Sequence, residues 1–288
     1  MILVTGATGH IGGEVARQLH GAGRPVRALV REGRTSTGLP ADLPTAVGDL
    51  NEPASLRAAL EGVQGVFLLP GYADMPGVLA ECERAGVRHV VLLSGLGAAD
   101  GDLDNAVSRM MILSERAVST SDVERTILRP SGFMSNTFEW APQLRVSDVV
   151  RAAFPEVPIA MVDPYDVGAV AAHVLLDPAH FGLIHTLSGP EALRPADRVR
   201  VLGDALGRAL RCEGLSDAEA RKEMEAAGTP PQYVDAFFRY YADVTPGRLP
   251  EDSQVRTTVT ELLGREPGSF AEWAGRNTAG FPSAPLPS

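Results

Sequence analysis

The stretch from Met1 to Gly12, MILVTGATGHIG, constrains this chain more than any other. Ile2, Leu3 and Val4 make a short apolar run of the kind that forms a buried strand. Gly6, Gly9 and Gly12 follow at three-residue spacing. Glu14 to Leu19 then reads as a helix with Val15 and Leu19 on one face. Strand, glycine turn and helix together form a cradle for a dinucleotide pyrophosphate. Gly6 permits the tight turn, Gly9 lets backbone N–H groups approach a phosphate, and Gly12 lets the helix pack close to the strand. The helix N-terminus adds unpaired N–H donors and partial positive charge. Glycine trios also mark plain turns; the position of this one, straight after a strand, selects the cradle. Thr8, His10 and Ile11, set between the glycines, join them as cofactor-binding candidates.

The following elements repeat the strand-helix alternation of a parallel sheet. Pro25 to Val30 reads as a second strand, and Arg31 stands at its end. In a dinucleotide fold this position faces the adenosine ribose, where an acidic group suits NAD and an arginine pairs with the 2′-phosphate of NADP. Arg31, with Arg34 in support, therefore favours NADP(H) over NAD(H), although Glu32 next door still offers a carboxylate. Thr45 to Leu50 reads as a third strand and its exit, with Asp49 placed to meet the adenine amino group and Leu50 beside it. A helix is expected from Ala54 to Leu60, opened by Pro53. Val63 to Leu69 is a continuous apolar run, as in a sheet covered on both faces, and Leu69-Pro70 ends it near the expected cofactor. A helix from Val78 to Ala85 leads to a fifth strand, Val87 to Leu93. Ser94 sits at its carboxyl end, where open α/β sheets bind ligands, and is a candidate for both cofactor binding and catalysis.

Asp104 to Thr120 reads as a helix and Val123 to Leu128 as a sixth strand, followed by a loop through Phe133, Met134, Ser135 and Asn136. From Phe138 the pattern becomes irregular and proline-interrupted. Asp166 to Leu176 is a clean helix, Leu183 to Ser188 a further strand, and Val199 to Leu210 another helix. Ser216 to Asp243 reads as two helices broken at Gly228-Thr229-Pro230, the first opened by a capping box from Ser216 to Glu219. Residues 237–241, FFRYY, are dense in aromatics and serve either as core or as the wall of a pocket for a flat substrate. The proline-rich tail from Phe281 to Ser288 is expected to be disordered.

Composition excludes several classes. The net charge of −10 argues against a nucleic-acid or anionic-membrane partner. No apolar run approaches the ~20 residues that span a bilayer, and no leader pattern precedes the first strand, so a cytoplasmic location is expected. Cys82 and Cys212 form no CxxC and are expected as free thiols. The six histidines lack metal-binding motif spacing; His180 and His185 flank a loop and are read as structural or solvated, with no metal expected.

The order of these motifs resembles the NmrA-like group of atypical short-chain dehydrogenases/reductases. VTGATGHIG at residues 4–12, VRALVR at 26–31 and GDL at 48–50 carry the likeness first. AGVRHVVLLS at 85–94, TILRPSGFMSN at 126–136, VDPYDVGAVA at 162–171 and LSGPE at 187–191 continue it, and VTELLGREP at 259–267 ends it. The resemblance implies an α/β fold: a Rossmann-type doubly wound parallel sheet that binds NAD(P), with a smaller, mostly helical C-terminal substrate lobe. Residues 1–136 are expected to form the dinucleotide-binding core and 137–288 the substrate side, with 162–190 returning to the core.

That family includes quinone and dye reductases, and also cofactor-binding members that act as redox sensors through protein contacts. Typical short-chain dehydrogenases use a Tyr-x-x-x-Lys pair to exchange a proton with substrate. This chain has no tyrosine between Tyr72 and Tyr165 and no lysine other than Lys222. Matching Glu115 to the family's helix glutamate puts Val107 and Met111 where the pair would stand. A simple ketone, whose reduction leaves an alkoxide, is thereby disfavoured. A quinone gives a hydroquinone anion near phenol acidity, which water can protonate, so orientation of the nicotinamide is the main need. The expectation is an NAD(P)H-dependent reductase of a quinone or related aromatic polycyclic carbonyl compound, working as a monomer or homodimer. A non-catalytic redox sensor is the alternative. Met110, Met111, Phe133, Met134, Trp140 and Phe238 are the candidate acceptor-pocket residues, and Ser94, Ser108, Arg109 and Asn136 the candidate polar helpers.

Overall fold

Seven parallel strands form the central sheet of the computed structural model, which describes residues 1–33, 38–242 and 249–285. They are β1 (Ile2–Val4), β2 (Val26–Val30), β3 (Thr45–Val47), β4 (Gly65–Leu68), β5 (His89–Leu93), β6 (Glu124–Pro130) and, later in the chain, a strand at Ile184–Leu187. The sheet order is β3-β2-β1-β4-β5-β6 followed by Ile184–Leu187, with every neighbour parallel. Order reverses between β1 and β4, and that switch point is where a Rossmann-type sheet opens a crevice for its ligand. β4 and β5 are buried at every residue, which explains why both read as unbroken apolar runs rather than alternating ones.

Helices cover both faces. On one side α1 (His10–Gly21) packs against a helix at Pro164–Leu176, through Val15, Ala16 and Leu19 against Val167, Val170, Ala171 and Val174. The two backbones approach so closely that a Cβ on Gly168 would lie 2.6 Å from the Cβ of Glu14. On the other side α2 (Met75–Arg84) and α3 (Ala106–Thr120) pack through Val78, Leu79, Cys82 and Val118. Burial raises the Cys82 thiol to about 12, so it acts as a neutral apolar group; both cysteines are free. Each of these helices starts as its sequence dictates: Asp74 accepts from Gly77 N–H, Asn105 from Val107 and Ser108 N–H, and Asp163 from Tyr165 N–H. Such caps contribute about 1 kcal/mol each.

A second lobe is assembled from residues after β6. The chain after β6 runs through α4 (Ala141–Leu144) and β7 (Val149–Ala152) of this lobe, then the main-sheet helix already described, now α5 (Pro164–Leu176), and the main-sheet strand now numbered β8 (Ile184–Leu187). Beyond these come α6 (Pro195–Leu206), β9 (Arg211–Gly214), α7 (Asp217–Ala226), α8 (Pro231–Tyr241), α9 (Thr258–Leu263) and α10 (Phe270–Arg276). β7 and β9 pair in parallel as a two-stranded sheet of their own. The chain returns to the main sheet with α5 and β8, then leaves it again. Arg276 pairs with Asp163, Arg265 with Asp166 at 2.7 Å, and Gly268 N–H donates to Asp166 at 2.8 Å. These contacts fasten the last segment to the start of α5.

Several expectations need correction. The helix over Ala54 to Leu60 is only a 3-10 turn at Pro53–Leu56. The helix expected to reach Leu210 ends at Leu206, where Gly207 adopts φ +64° and turns the chain into β9. The tail is not wholly loose: Phe281 is buried against Phe138 and Trp273, while residues 286–288 lie outside the described ones. Among the described residues no helix is long and apolar enough to cross a membrane.

Candidate cofactor and acceptor site

The glycine loop has the geometry that its spacing implies. Gly6 adopts φ +61°, and a Cβ there would sit 2.4 Å from Leu69 Cδ1. A Cβ on Gly12 would lie 2.4 Å from the carbonyl oxygen of Gly6 and 2.6 Å from that of Thr5, so α1 rests directly on the strand exit. Gly9 caps α1 without any side chain, which leaves the first-turn N–H groups uncovered. Thr8, Gly9 and His10 are exposed and Ile11 is half-buried. This bare, positively polarised helix end is a fit for a dinucleotide pyrophosphate.

At the carboxyl ends of β2, β3 and β4 three side chains converge. Arg31 is exposed; Asp49 and Tyr72 are half-buried. Burial raises the Tyr72 phenol, the nearby Arg31 charge lowers it, and Asp49 raises it again, so all three share one environment. Asp49 turns Oδ1 onto its own loop, accepting from Asn51 N and Nδ2 at 2.9 and 3.0 Å. Leu50 is 6% exposed and its side chain belongs to the core. Arg34 lies outside the described residues. Tyr72 carried no sequence signal, because its role depends on which strand ends the sheet order brings together.

The ends of β5 and β6 are built differently from the sequence reading. Ser94 is buried, and its hydroxyl donates a 2.5 Å hydrogen bond to Glu115 Oε1. Glu115 is gripped by Arg129 through Nε at 2.9 Å and Nη2 at 2.6 Å. The Ser94 hydroxyl is thus committed to a structural network rather than free for catalysis. Ser108 is 2% exposed and packs on Gly97, 3.1 Å from a Cβ built there, so it too leaves the list of polar helpers. Met110 and Met111 do reach the strand ends: their sulfurs lie 2.6 Å and 2.9 Å from Cβ positions built on Gly71 and Gly95. Arg109 is exposed.

Beyond β6 a cavity of about 780 Å³ opens inside the second lobe. It lies between the loop carrying Asn136, Glu139 and Trp140, strand β7, the start of α6, and the helix pair α7–α8. Asn136 and Trp140 line it. Phe133 is half-buried against the main core instead. Met134 is 1% exposed and wholly core. Phe238 also turns away: it packs between Phe154, at 4.8 Å, and the Arg221 guanidinium, at 4.2 Å, and Phe237 and Tyr241 face the cavity in its place. The correction follows from helix geometry, since residues 237 and 241 share one face of α8 and 238 lies on the next. Tyr240 and Tyr241 both donate to the buried Asp252, at 3.1 and 3.2 Å, and the ring of Tyr240 lies 4.0 Å from a Cβ built on Gly97. Burial raises both phenols. The lobe therefore abuts the ends of β5 and β6 directly.

At the opposite, amino end of the strands, His173, Asp177 and His180 bring one potential ligand atom each to within 4.8 Å of one another. The His180 ring also meets His185 at 5.1 Å. The sequence reading of His180 as a residue flanking a loop did not foresee this grouping, which depends on the placement of α5 beside that loop.

A family model described as NAD(P)H-binding matches residues 6–178. The chain belongs to this NAD(P)H-binding family. Within it the chain is 39% identical, over 98% of its length and 99% of the relative's, to (4-alkanoyl-5-oxo-2,5-dihydrofuran-3-yl)methyl phosphate reductase of Streptomyces griseus. It is 35% identical to an NAD(P)H azoreductase of Xenophilus azovorans, over 99% and 100% of the two chains. The NADPH-dependent quinone oxidoreductase of Escherichia coli, solved also with NADPH, superposes with a TM-score of 0.78 at 25% identity, covering 96% of this chain and all of that one. The atypical short-chain reductase resemblance and the Rossmann-type fold thus hold, and this family member is an NAD(P)H-dependent oxidoreductase.

Proposed function

We propose that the chain is an NADPH-preferring reductase that delivers hydride to a quinone or related conjugated carbonyl compound, with no Tyr–Lys pair. The observation that carries this reading is the placement of the cavity past the end of β6, where Ile159 and Met161, which pack on Gly132, share its wall with Asn136 and Trp140. Bound NADPH would supply the hydride. Gly6, Thr8, Gly9, His10, Ile11 and Gly12 hold its pyrophosphate by backbone N–H groups. Arg31 takes the 2′-phosphate, with Asp49, the Leu50 backbone, Leu69, Pro70 and the Ser94–Gly95 turn flanking the rest. Met111, Asn136 and Trp140 face the acceptor, and the aromatic and thioether surfaces orient a flat ring.

The chain's own task is then positioning and water exclusion. A quinone reduced by hydride becomes a hydroquinone anion, and solvent or a weak donor finishes the protonation. The same economy suits any acceptor in which the negative charge is delocalised over a conjugated carbonyl. The Streptomyces griseus relative supports that extension: its name describes an alkanoyl group on an oxo-dihydrofuran ring bearing a methyl phosphate. The test is NADPH oxidation against naphthoquinones, anthraquinones and alkanoyl butenolides, each with and without a phosphate ester. Turnover with conjugated acceptors and none with simple ketones is expected. Equal turnover of simple ketones would overturn the reading, because it demands a strong proton donor.

A further inference from the structure

The second-lobe cavity has a buried, unpaired cation in its wall. Arg198, at the start of α6, is only 6% exposed yet lines the cavity. A guanidinium carries five N–H donors and stays charged in proteins. Here Nη1 has the thioether of Met161 at 3.1 Å as its acceptor, a weak one, and Nε has no partner among the described residues. The plane of Trp140 lies under the cation at 5.0 Å. Among the described residues no carboxylate comes within the 4.0 Å of an ion pair. Glu139 is the nearest source of opposite charge, and burial pushes its carboxyl upward while Arg198 pulls it down. A buried cation left without hydrogen-bonding anions costs several kcal/mol. Val149, Phe154, Leu215, Met224 and Phe237 give the cavity an apolar side, while Arg151, the other arginine in its lining, is already paired with Glu219 and Glu223.

We propose that Arg198 is an anion-binding residue and that the acceptor reduced in this cavity carries a phosphate or carboxylate group on an apolar frame. The guanidinium fork matches either oxyanion in a bidentate way, and the Trp140 face holds the fork in place. The apolar walls then take an acyl or aromatic body, so the ligand is amphiphilic. Glu139 opposes the anion when ionised. This inference rests on the cavity being the acceptor pocket of the reductase. Its binding half stands apart from turnover.

The experiment titrates the NADPH-loaded protein with redox-inert probes of equal length: decyl phosphate, decanoate and decanol. Calorimetry and the fluorescence of Trp140, one of only two tryptophans, report binding. Charge-assisted hydrogen bonds predict that the wild type prefers at least one anion over decanol by about 10- to 100-fold. Preference for decyl phosphate over decanoate assigns a phosphate; the reverse assigns a carboxylate. Arg198→Gln should bring anion affinity down to that of decanol, and Arg198→Lys should restore it in part. Equal binding of anion and alcohol by the wild type overturns the proposal, as does an anion preference that survives Arg198→Gln. Should Arg198→Gln fail to fold, Glu139→Gln gives an independent reading. It should tighten anion binding and leave decanol unchanged, and no change for the anion overturns the proposal. The preferred anion should also compete with the reducible acceptor; non-competitive behaviour overturns the assignment to the acceptor. Selective anion binding with no turnover of any acceptor would instead sink the reductase reading while leaving the anion site standing.

Discussion

Ser94 Oγ lies 2.5 Å from Glu115 Oε1, and the same carboxylate binds the Arg129 guanidinium through both its oxygens. This network ties β5, α3 and β6 together just behind the site. Glu115 is 8% exposed, so its removal strands a partly buried arginine. Glu115→Ala should lower stability by about 3 kcal/mol, as for other broken buried pairs. Ser94→Ala removes one hydrogen bond and should cost about 1 kcal/mol. Urea denaturation measures both. A fall of several orders of magnitude in kcat for Ser94→Ala, with stability intact, would show the hydroxyl to be the proton donor that its burial argues against.

The close seat of α1 on the strand exit gives a second prediction. A methyl group on Gly12 would collide with two carbonyl oxygens, neither of which can move without shifting the loop. Gly12→Ala should therefore destabilise the protein by about 3 kcal/mol and abolish NADPH binding. Gly275, at an exposed position of α10, is the matched control, because a Cβ there meets nothing within 4 Å. Gly275→Ala should raise stability by about 0.5–1 kcal/mol. Thermal unfolding of the two variants with and without NADPH checks the contrast.

The proposed contact of Arg31 with the 2′-phosphate gives a third prediction. Removing a charge-assisted contact to phosphate costs about 2–3 kcal/mol, so Arg31→Ala should weaken NADPH by roughly 30- to 150-fold and NADH hardly at all. Direct titration of both dinucleotides is the measurement. Equal losses for the two would remove Arg31 from the 2′-phosphate.

Acid should destabilise the fold through His89. It is 3% exposed, and its Nε2 lies 2.9 Å from Thr126 Oγ1, which itself donates to the His180 carbonyl. Burial lowers the imidazole to about 4 from an ordinary 6.5. Between those values the unfolded chain takes up a proton that the folded chain refuses. Stability is therefore lost as pH falls from about 6.5 to about 4, by about 3 kcal/mol from this group over the whole window. Burial depresses His185 as well, adding in the same direction. His89→Gln should flatten the pH dependence of the denaturation midpoint; an unchanged slope would assign the acid sensitivity elsewhere.

The main sheet was legible because its signals are local. β1, the glycine trio and α1 are contiguous, and the runs that become β4 and β5 are apolar at every residue, as a two-sided sheet requires. The two helices broken at Gly228-Thr229-Pro230 were legible for the same reason: Ser216 and Glu219 form their reciprocal capping box, and Pro231 opens the next helix. The acceptor side was not. β7 and β9 are four residues each and lie some sixty residues apart, so neither strand announces itself without the other. Arg198 precedes the helix expected from Val199 and carried no sequence signal, since only the placement of Met161 and Trp140 makes it a buried cation. Phe238 and Phe237 are adjacent in sequence, and which one faces the cavity depends on the angle at which α8 docks.

Single-turnover mixing of the NADPH-loaded protein with a naphthoquinone tests the central claim most directly. The account predicts that bound nicotinamide is oxidised in one burst, that its rate rises with quinone concentration, and that deuterium at the transferred position slows it. Nicotinamide that stays reduced at saturating quinone and butenolide alike would contradict hydride transfer and leave a protein that only binds its cofactor.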